Sequence, residues 1–106
     1  MKSIQTKEAY EQAISSDQPV IIKFYADWCP DCKRMNMFID DIVSEYNESD
    51  WFELNKDELP DISDANEVMG IPSLLIFQSG EKIAHLHSAK AKTPEDVEEF
   101  LATSLR

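Results

Sequence analysis

Long apolar runs are missing from this chain, and no segment approaches the ~20 apolar residues that a membrane-spanning helix needs. Membrane partners are therefore not expected. The opening stretch, MKSIQTKEAYEQ, also lacks the apolar core of a secretory signal, so a cytoplasmic location is expected. Bases are scarce. Ten Lys and Arg stand against 21 Asp and Glu, a net charge of −11, and between Met35 and Glu81 the only base is Lys56. Such a field repels phosphate backbones and anionic lipid, which argues against nucleic acid as a partner. It keeps the surface soluble and suits a monomer. Repeats, low-complexity tracts and linkers are absent, and 106 residues leave room for one domain, residues 1–106, with one core. Cysteine is scarce too: Cys29 and Cys32 are the only two. In a reducing compartment a close pair is catalytic or metal-binding more often than a permanent crosslink.

What is present is a regular alternation of elements. Thr6 is the expected N-cap of a first helix that buries Ala9, Tyr10, Ala13 and Ile14. After the break at Asp17-Gln18-Pro19, Val20 to Ala26 is β-branched, aromatic and nearly all apolar, the pattern of a central strand covered on both faces. Met35, Phe38, Ile39, Ile42, Val43 and Tyr46 then share one helical face, which predicts a single continuous amphipathic helix. Trp51 to Asn55 is a second strand, and a short acidic helix covers Asp61 to Val68. Ser73 to Gln78 and Lys82 to His87 are strands joined by the tight turn Ser79-Gly80. Thr93 as N-cap, Pro94 as first helical residue and acids in the first turn open a last helix. Its buried stripe is Val97, Phe100, Leu101 and Leu105. With a short edge strand at Ser3 to Gln5, the class is α/β. One sheet with helices on both faces is the architecture that buries every stripe.

The cysteines fall where the central strand feeds the amphipathic helix, Cys29 near the cap and Cys32 one turn further in. Residues three apart on a helix are neighbours, within the roughly 4.4–6.8 Å Cα separation that a disulfide tolerates. Unpaired N–H groups at a helix start favour a thiolate on Cys29. Pro30 fits there because the first helical N–H has no intrahelical partner. Asp31 works the other way, since a nearby carboxylate disfavours thiolate. A zinc site needs two further ligands, and only His85 and His87, on one face of the edge strand, could supply them. That spacing is not a common zinc arrangement, and an iron–sulfur cluster would lack thiolates. The histidines read instead as a solvated strand face. No metal is expected, and no cofactor beyond a reversible Cys29–Cys32 disulfide.

The run Ala26-Asp27-Trp28-Cys29-Pro30-Asp31-Cys32-Lys33 resembles the redox motif of the thioredoxin family. Met69-Gly70-Ile71-Pro72-Ser73 resembles that family's second landmark, a cis-proline loop facing the cysteine pair. Leu74 to Phe77, with Ser79-Gly80-Glu81 behind, resembles the strand and turn that follow. The resemblance covers nearly the whole chain. It implies a thioredoxin fold with strand order 1-3-2-4-5, the last two strands antiparallel to the rest. It also implies a thiol–disulfide oxidoreductase acting as a disulfide reductase. Cys29 would be the nucleophile and Cys32 the resolving thiol, with Trp28 packed beside the pair as a shield. Ile71 and Pro72 would wall the site. An NADPH-dependent thioredoxin reductase would supply electrons, and proteins carrying disulfides would be substrates.

Four positions depart from the family pattern. Pro30-Asp31 stands where thioredoxins usually carry Gly-Pro, which keeps small or mixed low-molecular-weight disulfides open as substrates. Met37 occupies the place of a helix-kinking proline, so a straighter helix is expected. Ser88-Ala89-Lys90-Ala91-Lys92 is a longer, glycine-free segment where the family borders its substrate groove. Lys23 replaces a buried aspartate on the central strand. A lone lysine there is costly unless it is paired or reaches water. Glu53, the only charge in Trp51 to Asn55, is its candidate partner, as if the family's aspartate and lysine had exchanged places. Lys23 and Glu53 are then either a proton-transfer pair serving Cys32 or a structural ion pair. The competing function is an adaptor whose cysteines are vestigial. Trp28, two intact thiols and Pro72 together favour the reductase.

Overall fold

The computed structural model describes residues 1–105. In chain order the elements are β1 (Lys2–Ile4), α1 (Lys7–Ile14), β2 (Val20–Tyr25), α2 (Pro30–Asn36), α3 (Ile39–Glu45), β3 (Asp50–Asn55), α4 (Pro60–Ala65), β4 (Ser73–Gln78), β5 (Glu81–Leu86) and α5 (Pro94–Ser104). A 3₁₀ turn at Ser88–Lys90 precedes α5. The expected caps are in place: Thr6 Oγ1 accepts from Ala9 N–H at 3.0 Å, and Thr93 Oγ1 from Asp96 N–H at 3.2 Å. Each satisfies one N–H that the helix itself leaves orphaned.

The five strands form one sheet in the order β1-β3-β2-β4-β5. This is the thioredoxin fold, with helices on both faces. β1, β3 and β2 are mutually parallel, and β4 is antiparallel to β2. β5 is antiparallel to β4 and so runs with the first three. The expectation that both last strands oppose the rest is corrected: only β4 does. The reason is the Ser79-Gly80 turn, where φ is +53° and +84°, which folds β4 back on β5 as a hairpin.

Alternation along the strands assigns the two faces. Ile21 on β2 and Leu74 and Ile76 on β4 pack with Met35, Ile39, Ile42, Val97 and Leu101 under α2, α3 and α5. Val20, Ile22 and Phe24, with Leu75 and Phe77, face the opposite layer with Ile62 and the partly buried Tyr10, Ala13 and Ile14. Lys23, two residues from Ile21, is thereby placed on the α2 face.

The single long helix expected after the cysteines is instead two. Met37 N–H donates to the Arg34 carbonyl and Phe38 N–H to that of Met35, so the ladder tightens from i−4 to i−3 between α2 and α3. The break occurs without the proline that the family carries, and the straighter helix expected from Met37 is not found. Hydrophobic spacing cannot report this. One tight turn advances the faces by only some tens of degrees, and Met35, Ile39 and Ile42 stay buried on both sides of it.

His87, just past the end of β5, is exposed as expected, but His85 on β5 is half-buried. Their rings stack at 3.7 Å, and Lys82 Nζ lies 3.1 Å from His85 Nδ1. Burial, then the neighbouring His87 and Lys82, lowers the His85 pKa to about 4. Between pH 6.5 and 4 the unfolded chain therefore binds a proton that the folded chain refuses. The associated stability is present above pH 6.5 and lost as pH falls through about 4. Partial exposure limits the loss to about 1–2 kcal/mol. Urea denaturation of wild type and His85→Gln across this window should show the variant losing less stability on acidification.

Candidate active site

β2 ends at Tyr25, and the chain turns through Asp27 and Trp28 before α2 starts. Cys29 is the N-cap of α2, and Pro30 its first residue. The cap is made by sulfur: Cys32 N–H donates to Cys29 Sγ at 3.1 Å. The two sulfurs lie at disulfide distance, with Cα atoms 5.2 Å apart. Both side chains are buried, Cys29 at 3% and Cys32 at 2% exposure. A hydrogen bond aimed at Cys29 Sγ is worth more when that sulfur is ionised, which favours its thiolate in the reduced protein.

The Ile71–Pro72 peptide bond is cis, and the Ile71 carbonyl oxygen lies 3.7 Å from Cys29 Sγ. Pro72, without an N–H, leaves no donor to compete there. The pair packs against Ala26, Tyr25 and Ile71. Trp28 is not the expected shield. It is 66% exposed, and its Nε1–H donates to Asp57 Oδ2 at 2.7 Å, which holds the indole on the rim.

Cys29 opens onto a groove of about 430 Å³, whose lining does not include Cys32. Beside Cys29 it is lined by Trp28, Pro30 and Asp31, by Met69 to Ile71, and by Lys56, Ser88 and Lys92. Gly70 lies close to Ser88: a Cβ there would meet Ser88 Oγ, and the serine side chain would have to shift. Ser73 Oγ donates to the Gly70 carbonyl at 2.7 Å and fixes the loop. Lys92 Nζ donates to Asp31 Oδ2 at 2.6 Å, and Arg34 lies 3.6 Å from the other carboxylate oxygen. The bond from Lys92, then its charge, holds the Asp31 carboxyl below its usual pKa. Lys92 and Asp57 were not among the sequence candidates. Their partners lie 61 and 29 residues away, beyond any local pattern.

Lys23 and Glu53 are brought together as expected. They are register partners on β2 and β3, with Nζ 3.9 Å from Oε1. Lys23 is only 4% exposed, and its amine donates to Asn36 Oδ1 at 2.8 Å. Burial lowers the Lys23 pKa, while Glu53 and Asp40 oppose that shift. A small cavity of about 230 Å³ beside the pair is lined in part by Asn36 and Tyr25, and by neither cysteine. Asn36 nonetheless stands four residues after Cys32 on α2, the spacing of helical neighbours. His85 on β5 and His87 just after it do not line the groove. Among the described residues no group of three or more His, Cys, Asp or Glu side chains is placed to hold a metal ion. No helix there is long and apolar enough to cross a membrane.

The thioredoxin family model matches residues 2–103. Thioredoxin-1 of Saccharomyces cerevisiae is 35% identical over 85 residues, 80% of this chain and 82% of that protein. Thioredoxin of Callithrix jacchus is 28% identical over 104 residues, 95% of this chain and 99% of that one. Among solved structures, Plasmodium falciparum thioredoxin superposes with a TM-score of 0.87 at 18% identity, covering 97% of this chain and 98% of its own, a likeness of fold. A cysteine pair capping a helix, a cis-proline facing it, this sheet and these relatives agree: the chain belongs to the thioredoxin family and is a thiol–disulfide oxidoreductase.

Proposed function

We propose that this protein is a disulfide reductase in which Cys29 attacks and Cys32 resolves. One observation carries the assignment: Cys29 lines the groove and Cys32 does not, so a substrate sulfur seated in the groove meets Cys29. The Cys29 thiolate attacks one sulfur of a substrate disulfide, forming a mixed disulfide and expelling the other sulfur as a thiolate that takes a proton. Cys32 then gives up its proton and attacks Cys29 Sγ. The substrate's second thiolate leaves and is protonated, and the Cys29–Cys32 disulfide remains. Two electrons have passed from the cysteine pair to the substrate.

The proton of Cys32 needs an acceptor, and Glu53 serves as one. The Lys23 amine reaches Asn36, one turn along α2 from Cys32, with Glu53 behind it.

NADPH, acting through a thioredoxin reductase, returns two electrons to the oxidised pair, and no further cofactor is needed. The protein works as a monomer in the cytoplasm, where reduced thiols are the rule. Disulfide-bearing proteins are its substrates, and the exposed Trp28 and Met69 beside Cys29 give an unfolded segment apolar surface to lie on. The reduced protein, mixed with insulin, NADPH and a thioredoxin reductase, should consume NADPH catalytically and precipitate the insulin B chain. Binding of disulfide proteins with no NADPH consumption would instead identify an adaptor.

A further inference from the structure

We propose that Lys92 is a positioning residue for Cys29: paired with Asp31, it cancels the charge that the Pro-Asp motif sets beside the nucleophile and ties the segment after β5 to α2. This rests on Cys29 as the attacking thiol.

Asp31 stands two residues from Cys29 in the first turn of α2, and both line the groove. A bare carboxylate there would repel the developing thiolate and slow attack. It is not bare. Of its two cationic neighbours, Lys92 is nearer and less exposed: 2.6 Å and 39%, against 3.6 Å and 66% for Arg34. Lys92 is also held from behind. Ala91, its chain neighbour, is buried in the main core with Val97 and Leu101. The turn at Ser88–Lys90 sits against Gly70 of the cis-proline loop. The amine is thus delivered to Asp31 by a segment fixed at two points. The other charges around Cys29 do not take this part. Lys56 lines the groove without a described ion pair to Asp31, Asp57 is engaged by Trp28, and Asp27 is exposed on the preceding turn.

The segment from Ser88 to Lys92 and the Pro-Asp motif therefore function together. In this chain the acid between the cysteines takes its cation from the segment that follows β5.

The test is the rate of iodoacetamide alkylation of the reduced full-length protein between pH 5 and 9, with the labelled cysteine identified by mass spectrometry. Lys92→Met should displace the rate profile to higher pH, making Cys29 alkylation about threefold slower at pH 6.5. Lys92→Arg should restore the wild-type profile, since it keeps the charge at the same place. Asp31→Asn should displace the profile to lower pH, and adding Lys92→Met to that variant should then change little. A Lys92→Met profile that coincides with wild type overturns the inference. So does a Lys92→Met displacement of equal size with and without Asp31, because Lys92 would then not act through the carboxylate. Label arriving first on Cys32 in the wild type is a different failure, that of the nucleophile assignment itself.

Discussion

Reduced Cys32→Ser protein mixed with a disulfide substrate should accumulate as a stable adduct on Cys29, whereas Cys29→Ser should form none. The geometry sets this asymmetry. Cys29 Sγ faces the groove and accepts an N–H from the first turn of α2. Cys32, at disulfide distance from it, is not among the residues that line the groove. A serine hydroxyl at position 29 is not ionised near neutral pH and cannot attack a disulfide, so turnover should fall to background, a loss of at least about 10³-fold. At position 32 the same change leaves attack intact and removes only resolution. The adduct mass, its cysteine and its release by dithiothreitol are all read by mass spectrometry. Adducts forming on Cys32 in Cys29→Ser as readily as on Cys29 in Cys32→Ser would reverse the roles.

Glu53→Gln should slow resolution of the mixed disulfide by roughly 10- to 100-fold while leaving the first attack unchanged. Positioned proton transfer typically contributes about 10²–10⁴-fold, and a carboxylate 30% exposed, acting beside Lys23, belongs at the low end of that range. Gln keeps the size and the neutral hydrogen-bonding capacity of Glu and removes only its charge. Rapid-quench measurement of adduct decay across pH separates the two possible roles. A proton acceptor moves the resolution rate and its pH profile. A structural partner of Lys23 moves stability alone, and that second outcome would dismiss the catalytic role. Some stability should fall in either case, because Lys23 is buried and would retain Asn36 as its close polar partner.

How much of this was legible beforehand differs from element to element. β2 and β4 were plain because strands covered on both faces must be nearly all apolar, and both segments are. Both helix starts capped by threonine were plain as well, since the cap, the proline and the acids act within one turn. The break between α2 and α3 was invisible, because a local tightening leaves the apolar face where it was. The direction of β5 follows from the hairpin at Ser79-Gly80, which turns the chain back along β4.

The candidate site divides along the same line. Cys29, Pro30, Asp31 and Cys32 are contiguous, so their chemistry is local, and sequence by itself determined it: two thiols one turn apart at a helix start. The pairing of Lys23 with Glu53 was also inferable, because parallel neighbours in a sheet bring one residue of each strand opposite the other. Only the tertiary structure decided which sulfur meets the groove, where Trp28 goes and what neutralises Asp31. Trp28 lies exposed on the groove's rim, its indole N–H held by Asp57, and Lys92 reaches Asp31 from beyond β5. Such contacts are set by how the packed layers bring distant loops to one edge of the sheet. Composition and periodicity report burial one element at a time, and so cannot encode them.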